Sequence, residues 1–145
     1  MFVNAALAAL PAIGFAMVFN VPGRYLWACG VAGSLGFLVR ESLLALAWHA
    51  ALASLIAALA IGALSAFWAR HYRAPMQLYA VAAAIPLMPG HDAFVAFNAM
   101  LELLLQGYQP ELWITVVGRG LQSVFVVAAI TLGLTLANLL YHRRQ

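Results

Sequence analysis

The chain has 145 residues, of which 66 % are apolar and only 8 % are charged. An ordinary soluble domain carries about 25 % charged residues, so the composition excludes a water-soluble enzyme or binding module and makes the lipid bilayer the relevant solvent. The net charge of +3 rests on seven arginines and no lysine, and because these fall at the ends of apolar stretches they follow the positive-inside pattern and not that of a nucleic-acid surface.

In hydrocarbon a backbone must satisfy its own hydrogen bonds, so apolar stretches of this length predict helices. The expected fold is an all-α bundle of about five transmembrane helices forming a single polytopic domain over residues 1–145. The first helix spans 2–20 and stops at Asn20-Val21-Pro22-Gly23-Arg24, a strong turn sequence. No positive charge precedes Arg24, as a secretory signal would require, so this stretch reads as a retained helix. The second spans 25–46, provided that Arg40 and Glu41 pair with each other or face protein. Its single Cys29 has no Cys or His at ligand spacing and reads as a packing residue.

Gly30, Gly33 and Gly36 recur on the second helix, and Ser54, Ala58, Gly62 and Ala66 on the third, which spans 48–69. Such small-residue stripes let helix backbones approach closely in a membrane; the sequence leaves open whether they meet this chain or a partner. Arg70-His71-Tyr72-Arg73-Ala74-Pro75 closes the third helix.

The fourth segment, 76–105, carries the strongest functional feature. As one straight helix, the stretch from Pro75 would extend about 45 Å, well beyond a hydrocarbon core of ~30 Å. Pro86 and Pro89 each remove a backbone donor near its middle, and Gly90 permits conformations closed to other residues. A break there frees carbonyls on one side and presents the positive dipole end of a new half-helix on the other. Transporters hold anionic groups and coupling ions with that arrangement; a proline kink that only shapes packing is the alternative.

Asp92 is positioned to cap the second half-helix or carry a proton, with His91 beside it as another proton carrier. Asn98 and Glu102 share a helix face with His91. The fifth helix spans 112–141 and ends in His142-Arg143-Arg144. It holds Arg119 about 10 Å inside its outer end, where a charge must face protein or water and where a guanidinium suits a carboxylate. The alternative for Arg119 is a structural ion pair, for instance with Glu102 or Glu111.

With five crossings and the N-terminus outside, Arg24, Arg70, Arg73, Arg143 and Arg144 all fall on the cytoplasmic side, where the C-terminus lies. Ala32-Gly33-Ser34-Leu35-Gly36 echoes a nucleophile elbow only loosely and lies in a membrane helix, not at a strand-to-helix turn. No P-loop, HExxH, EF-hand or paired-cysteine pattern occurs, so neither an enzyme, a metal site nor a cofactor is expected.

Two stretches carry a family likeness. Pro11 through Pro22 (PAIGFAMVFNVP), followed by Arg24, resembles the opening of the small YjjB-type subunits of the threonine/serine exporter (ThrE) family. Ala84-Ile85-Pro86-Leu87-Met88-Pro89-Gly90 is similar to that family's central proline–glycine segment, and the likeness extends over nearly the whole chain. The residues that it supports as family features are Asn20, Pro22, Arg24, Pro86, Pro89 and Gly90. The family commonly places an aromatic a few residues past the Pro-Gly, a place Phe94 would fill here.

The resemblance implies one subunit of a two-component exporter in the bacterial inner membrane, acting with a larger YjjP-type membrane partner. The paired proteins are associated with succinate, the fused ones with threonine and serine. A non-transporting assembly subunit is the reading from another class. The few polar groups of a lone bundle also point to an oligomer.

Overall fold

The computed structural model describes residues 2–143, so Arg144 of the expected C-terminal cluster lies outside the described residues. Six α-helices follow in chain order: α1 (Phe2–Val18), α2 (Leu26–Ala45), α3 (Ala50–Tyr72), α4 (Gln77–Ala84), α5 (Gly90–Gln106) and α6 (Pro110–His142). Single 3-10 turns cover Gly23–Tyr25 and Ile85–Leu87. The segments containing α2, α3 and α6 are each long and apolar enough to cross a bilayer; α4 and α5 are so only when taken together as a pair bent by 52°, and the apolar α1 is shorter. The protein is an all-α membrane protein whose fourth apolar segment is broken at Pro86–Gly90.

Three helix ends close in the same way. Asn20, Ala47 and Arg73 adopt left-handed backbone angles with φ of 56°, 60° and 51°. The amide after each reaches back to the helix: Val21 to the Ala16 carbonyl at 2.9 Å, Trp48 to Leu43 at 3.1 Å and Ala74 to Ala69 at 3.1 Å. This is the Schellman closure, which satisfies otherwise orphaned carbonyls. Asn20 suits it because asparagine tolerates the left-handed region, and the buried Val21 packs beneath.

α2 runs uninterrupted past Arg40 and Glu41. Arg40 and Glu41 do not pair; Arg40 faces protein, its Nε donating to Ser54 Oγ on α3 at 3.1 Å. The small-residue stripes are used within the chain. A Cβ on Gly33 would stand 2.7 Å from the Ala12 Cβ on α1, and one on Gly36 would strike Ile61 on α3. Gly62 meets Ala137 on α6, and Gly133 on α6 meets Ala58 and the Leu55 carbonyl.

α4 lies at the centre, packed on α1, α2 and α3, with Tyr79, Ala82, Ala83, Ala84 and the following Leu87 all buried. Alanine makes this possible, since larger side chains would hold four helices apart. An aromatic cluster ties the ends of three helices together: the Tyr79 ring lies 5.6 Å from that of Tyr25 and 6.1 Å from that of Trp68, with Trp27 5.3 Å from Trp68. Arg24 stacks over Tyr25 at 4.6 Å. Aromatics with arginine at one end of a bundle mark a membrane–water interface.

α5 leaves this bundle and packs chiefly on α6. With 33 residues, α6 is about 50 Å long. Its C-terminal half lies on α3 and its N-terminal half forms an antiparallel hairpin with α5, closed at Gly107–Gln109.

Candidate functional site

The break is built from three local events. α4 ends at Ala84, where a 3-10 turn with Pro86 in its first positions takes over; Met88 is extended, and α5 starts at Gly90. Proline cannot donate to the preceding turn, so the helix has to stop here. Short bonds replace the lost ladder: the Met88 amide to the Ile85 carbonyl at 3.0 Å, and the Gly90 amide to the Met88 carbonyl at 2.9 Å. Pro86 Cγ lies 3.6 Å from where a Gly33 Cβ would stand, so the break rests on the middle of α2.

Gly90 departs from expectation. It lies in ordinary helical backbone, not the left-handed region, and a Cβ added there would meet nothing within 4 Å. The two prolines make the break, and Gly90 is simply the first, exposed residue of α5.

Asp92 also departs from its expected capping role. No side chain caps α5, and Asp92 occupies the helix's first turn, where a carboxylate still interacts favourably with the dipole. Its Oδ1 accepts from Arg119 Nη1 at 2.6 Å, joining α5 to α6. Arg119 therefore does form an ion pair, but neither Glu102 nor Glu111 is its partner. Glu102 and Glu111 both lie near the closed end at Gly107–Gln109, whereas Asp92 stands in the first turn of α5, where the long side chain of Arg119 reaches it from α6.

The pair is asymmetric in its surroundings. The Asp92 side chain is 14 % exposed and that of Arg119 49 %, so the carboxylate is enclosed and the guanidinium opens outward. Only one of its five N–H donors is engaged in this bond. The residues expected beside it mostly serve their own helix: Thr115 donates to the Glu111 carbonyl at 3.0 Å and Ser123 to the Arg119 carbonyl at 2.9 Å. Gln122 is exposed.

The rest of the predicted polar face is spread out. His91 and Glu102 are exposed, and Asn98 donates to the Phe94 carbonyl at 3.0 Å on its own helix. Phe94, in the place of the family aromatic, is exposed. Asn20, Pro22 and Arg24 form the α1–α2 turn, remote from the break, with structural work to do there. Sequence reading missed the Arg40–Ser54 contact and the Asp92–Arg119 pairing. The short turn after α5 implied only that α5 and α6 pack antiparallel; it did not single out Asp92.

Apolar helices long enough to span a bilayer, with a further apolar pair broken between α4 and α5, define a polytopic membrane protein. A family model described as "Threonine/Serine exporter, ThrE" matches residues 4–140, and the chain belongs to that family. No solved structure matches it.

Proposed function

We propose that this chain is one subunit of a two-component exporter of small carboxylates, succinate foremost, acting with a larger YjjP-type partner in the bacterial inner membrane. The observation that carries the reading is the half-exposed Arg119 held by an enclosed Asp92 at the start of the broken segment's second half. The site includes Pro86, Pro89 and Gly90 at the break, His91, Asp92 and Arg119 beside it, and Asn98 and Glu102 further along α5.

Arg119 is a fixed positive fork suited to a carboxylate. Asp92 occupies it in the resting state. A substrate carboxylate approaching from the exposed side competes with Asp92, and a proton taken up by Asp92, directly or through His91, releases the guanidinium to the substrate. The uncapped first turn of α5 adds amides and a positive dipole end on the same side. Rocking of α5–α6 against the α1–α4 bundle about the break would then alternate access. The N-terminus lies outside and the C-terminus in the cytoplasm, an orientation supported by the arginines at the Arg24 and Arg70 end.

The exposed apolar faces of α5 and α6, with Phe97, Leu104 and Phe125 among their residues, support docking of the partner on this hairpin. A second reading, export of threonine and serine, is favoured by the family description itself, and an amino acid also offers a carboxylate to Arg119.

The test is reconstitution of both subunits in proteoliposomes, with flux of labelled succinate and labelled threonine measured with and without a pH gradient. Gradient-dependent succinate flux requiring both subunits is the expected result. Threonine flux alone would move the substrate to the second reading. A stable complex with no flux, together with no water-accessible cysteine between positions 90 and 102, would leave this chain an assembly subunit.

A further inference from the structure

At the end of the molecule remote from Asp92 and Arg119, the last turns of α3 and α6 flank a groove of about 490 Å³. Its lining is almost wholly apolar, with Leu59, Ala63 and Ala66 from α3 and Ala137 from α6, while Phe67 and Leu140 stand exposed beside it. The alanines create the hollow: the same small-residue pattern that lets α3 and α6 touch at Gly62 and Ala137 leaves space one turn further on.

The groove ends at Arg70 and Tyr141, and both also line an adjoining hollow of about 460 Å³ with Arg73, Ala74 and Pro75. Arg70 lies over the Tyr141 ring at 5.2 Å and makes one long bond, 3.5 Å, from Nη2 to the Tyr141 carbonyl. Its other donors have no protein partner among the described residues. Arg73 and Arg143, both exposed, add charge at this end.

No side-chain carboxylate among the described residues offsets it. The chain's four acidic residues are Glu41 near the far end of α2, Asp92 and Glu102 on α5, and Glu111 in the first turn of α6. Arg119, which marks the position of Asp92, is 22 residues from Tyr141 along α6, about 33 Å. An apolar channel along a lipid-facing helix pair therefore opens directly onto arginines that have no side-chain carboxylate partner among the described residues.

We propose that this groove binds one anionic phospholipid, with an acyl chain lying along Ala63 and Ala66 and the phosphate held by Arg70 and Arg73. Guanidinium forks match phosphate oxygens, and basic pockets between membrane helices bind anionic head groups. The site is separate from the proposed substrate site and does not depend on what the protein exports.

Native mass spectrometry of the full chain, delipidated in detergent, tests this with palmitoyl-oleoyl phosphatidylglycerol and phosphatidylcholine carrying the same acyl chains. The expected result is one phosphatidylglycerol retained about tenfold more tightly than phosphatidylcholine. The double substitution Arg70→Gln with Arg73→Gln should remove the preference. Ala63→Phe, at an exposed position with both arginines intact, should block the groove and weaken phosphatidylglycerol as well. Glycerol 3-phosphate at millimolar concentration should leave the bound lipid in place. Equal retention of the two lipids, a preference that survives the arginine substitutions, binding unaffected by Ala63→Phe, or displacement by the head group alone would each overturn the proposal.

Discussion

Gly133→Ala and Gly118→Ala put the same methyl group on the same helix and should move stability in opposite directions. At Gly133 the new Cβ would stand 2.7 Å from the Ala58 Cβ and 2.9 Å from the Leu55 carbonyl oxygen. The second neighbour is backbone and cannot swing aside, so α3 and α6 must separate by about half an ångström to restore ordinary contact. The reciprocal contact of Gly62 with Ala137 lies one turn away on each helix and is loosened by the same movement. Overpacking of this kind costs about 1–3 kcal/mol, and replacing glycine by alanine in a helix returns up to about 1 kcal/mol. The net expectation is a loss of about 1–2 kcal/mol. Gly118 has nothing within 4 Å of a built Cβ, so its variant keeps the helix gain and should be unchanged or more stable. Unfolding by graded sodium dodecyl sulfate in mixed micelles, followed by tryptophan fluorescence, measures both. A Gly133→Ala protein as stable as Gly118→Ala would refute the account of how α3 holds α6.

Ala47→Gly should stabilise the fold by about 0.5–1 kcal/mol, because alanine there sits in a left-handed closure that glycine adopts without strain; the same titration reads it, and a destabilised variant would contradict the geometry. Gly90→Ala should unfold within about 0.5 kcal/mol of the parent, since the methyl group meets open space, whereas a large loss would restore the expectation that Gly90 is conformationally required. In reconstituted flux, Arg119→Gln should reduce export at least about tenfold, the scale of a lost charge-assisted bond to substrate, while Glu111→Gln stays within about twofold. Equal losses in the two would mean that general charge, not the site, is being read. Asp92→Asn should retain some flux but lose its response to a pH gradient, and an undiminished response would assign the proton to another group.

Hydropathy and turn chemistry made the helices readable in advance because both are local. Asn20-Val21-Pro22-Gly23 stops α1 where it stands, and Pro86 with Pro89 breaks the fourth segment for reasons held within a few residues. What each glycine touches is not local. Nothing in Gly30, Gly33 and Gly36 says whether the neighbouring backbone belongs to the same chain, and only the fold places Ala12, Ile61 and Pro86 against that stripe. The same limit applied to Arg119. Its depth in α6 called for a partner, and Glu102 and Glu111 lie nearer in sequence than Asp92 does. The partner was decided by the packing of α5 against α6 and the reach of the arginine side chain to the first turn of α5, neither of which is local in sequence.

That pairing constrains what must surround the hairpin. A lone arginine at bilayer depth costs at least about 2.5–3.5 kcal/mol by insertion scales, and Asp92 answers it on one side only. The outward half of the guanidinium needs water, lipid phosphate or protein. The length of α6 and the position of Arg119 within it argue against lipid phosphate if the N-terminal half of the helix crosses hydrocarbon. Water alone would require a cavity, yet α5 and α6 present Phe97, Leu104, Val124 and Phe125 outward from the hairpin, a surface suited to lipid or to another apolar helix. An apolar partner surface closed over the hairpin, with a wet cleft left at Arg119, satisfies both demands at once. It would make the pathway a property of the assembled pair, with the charged groups of this chain forming one wall.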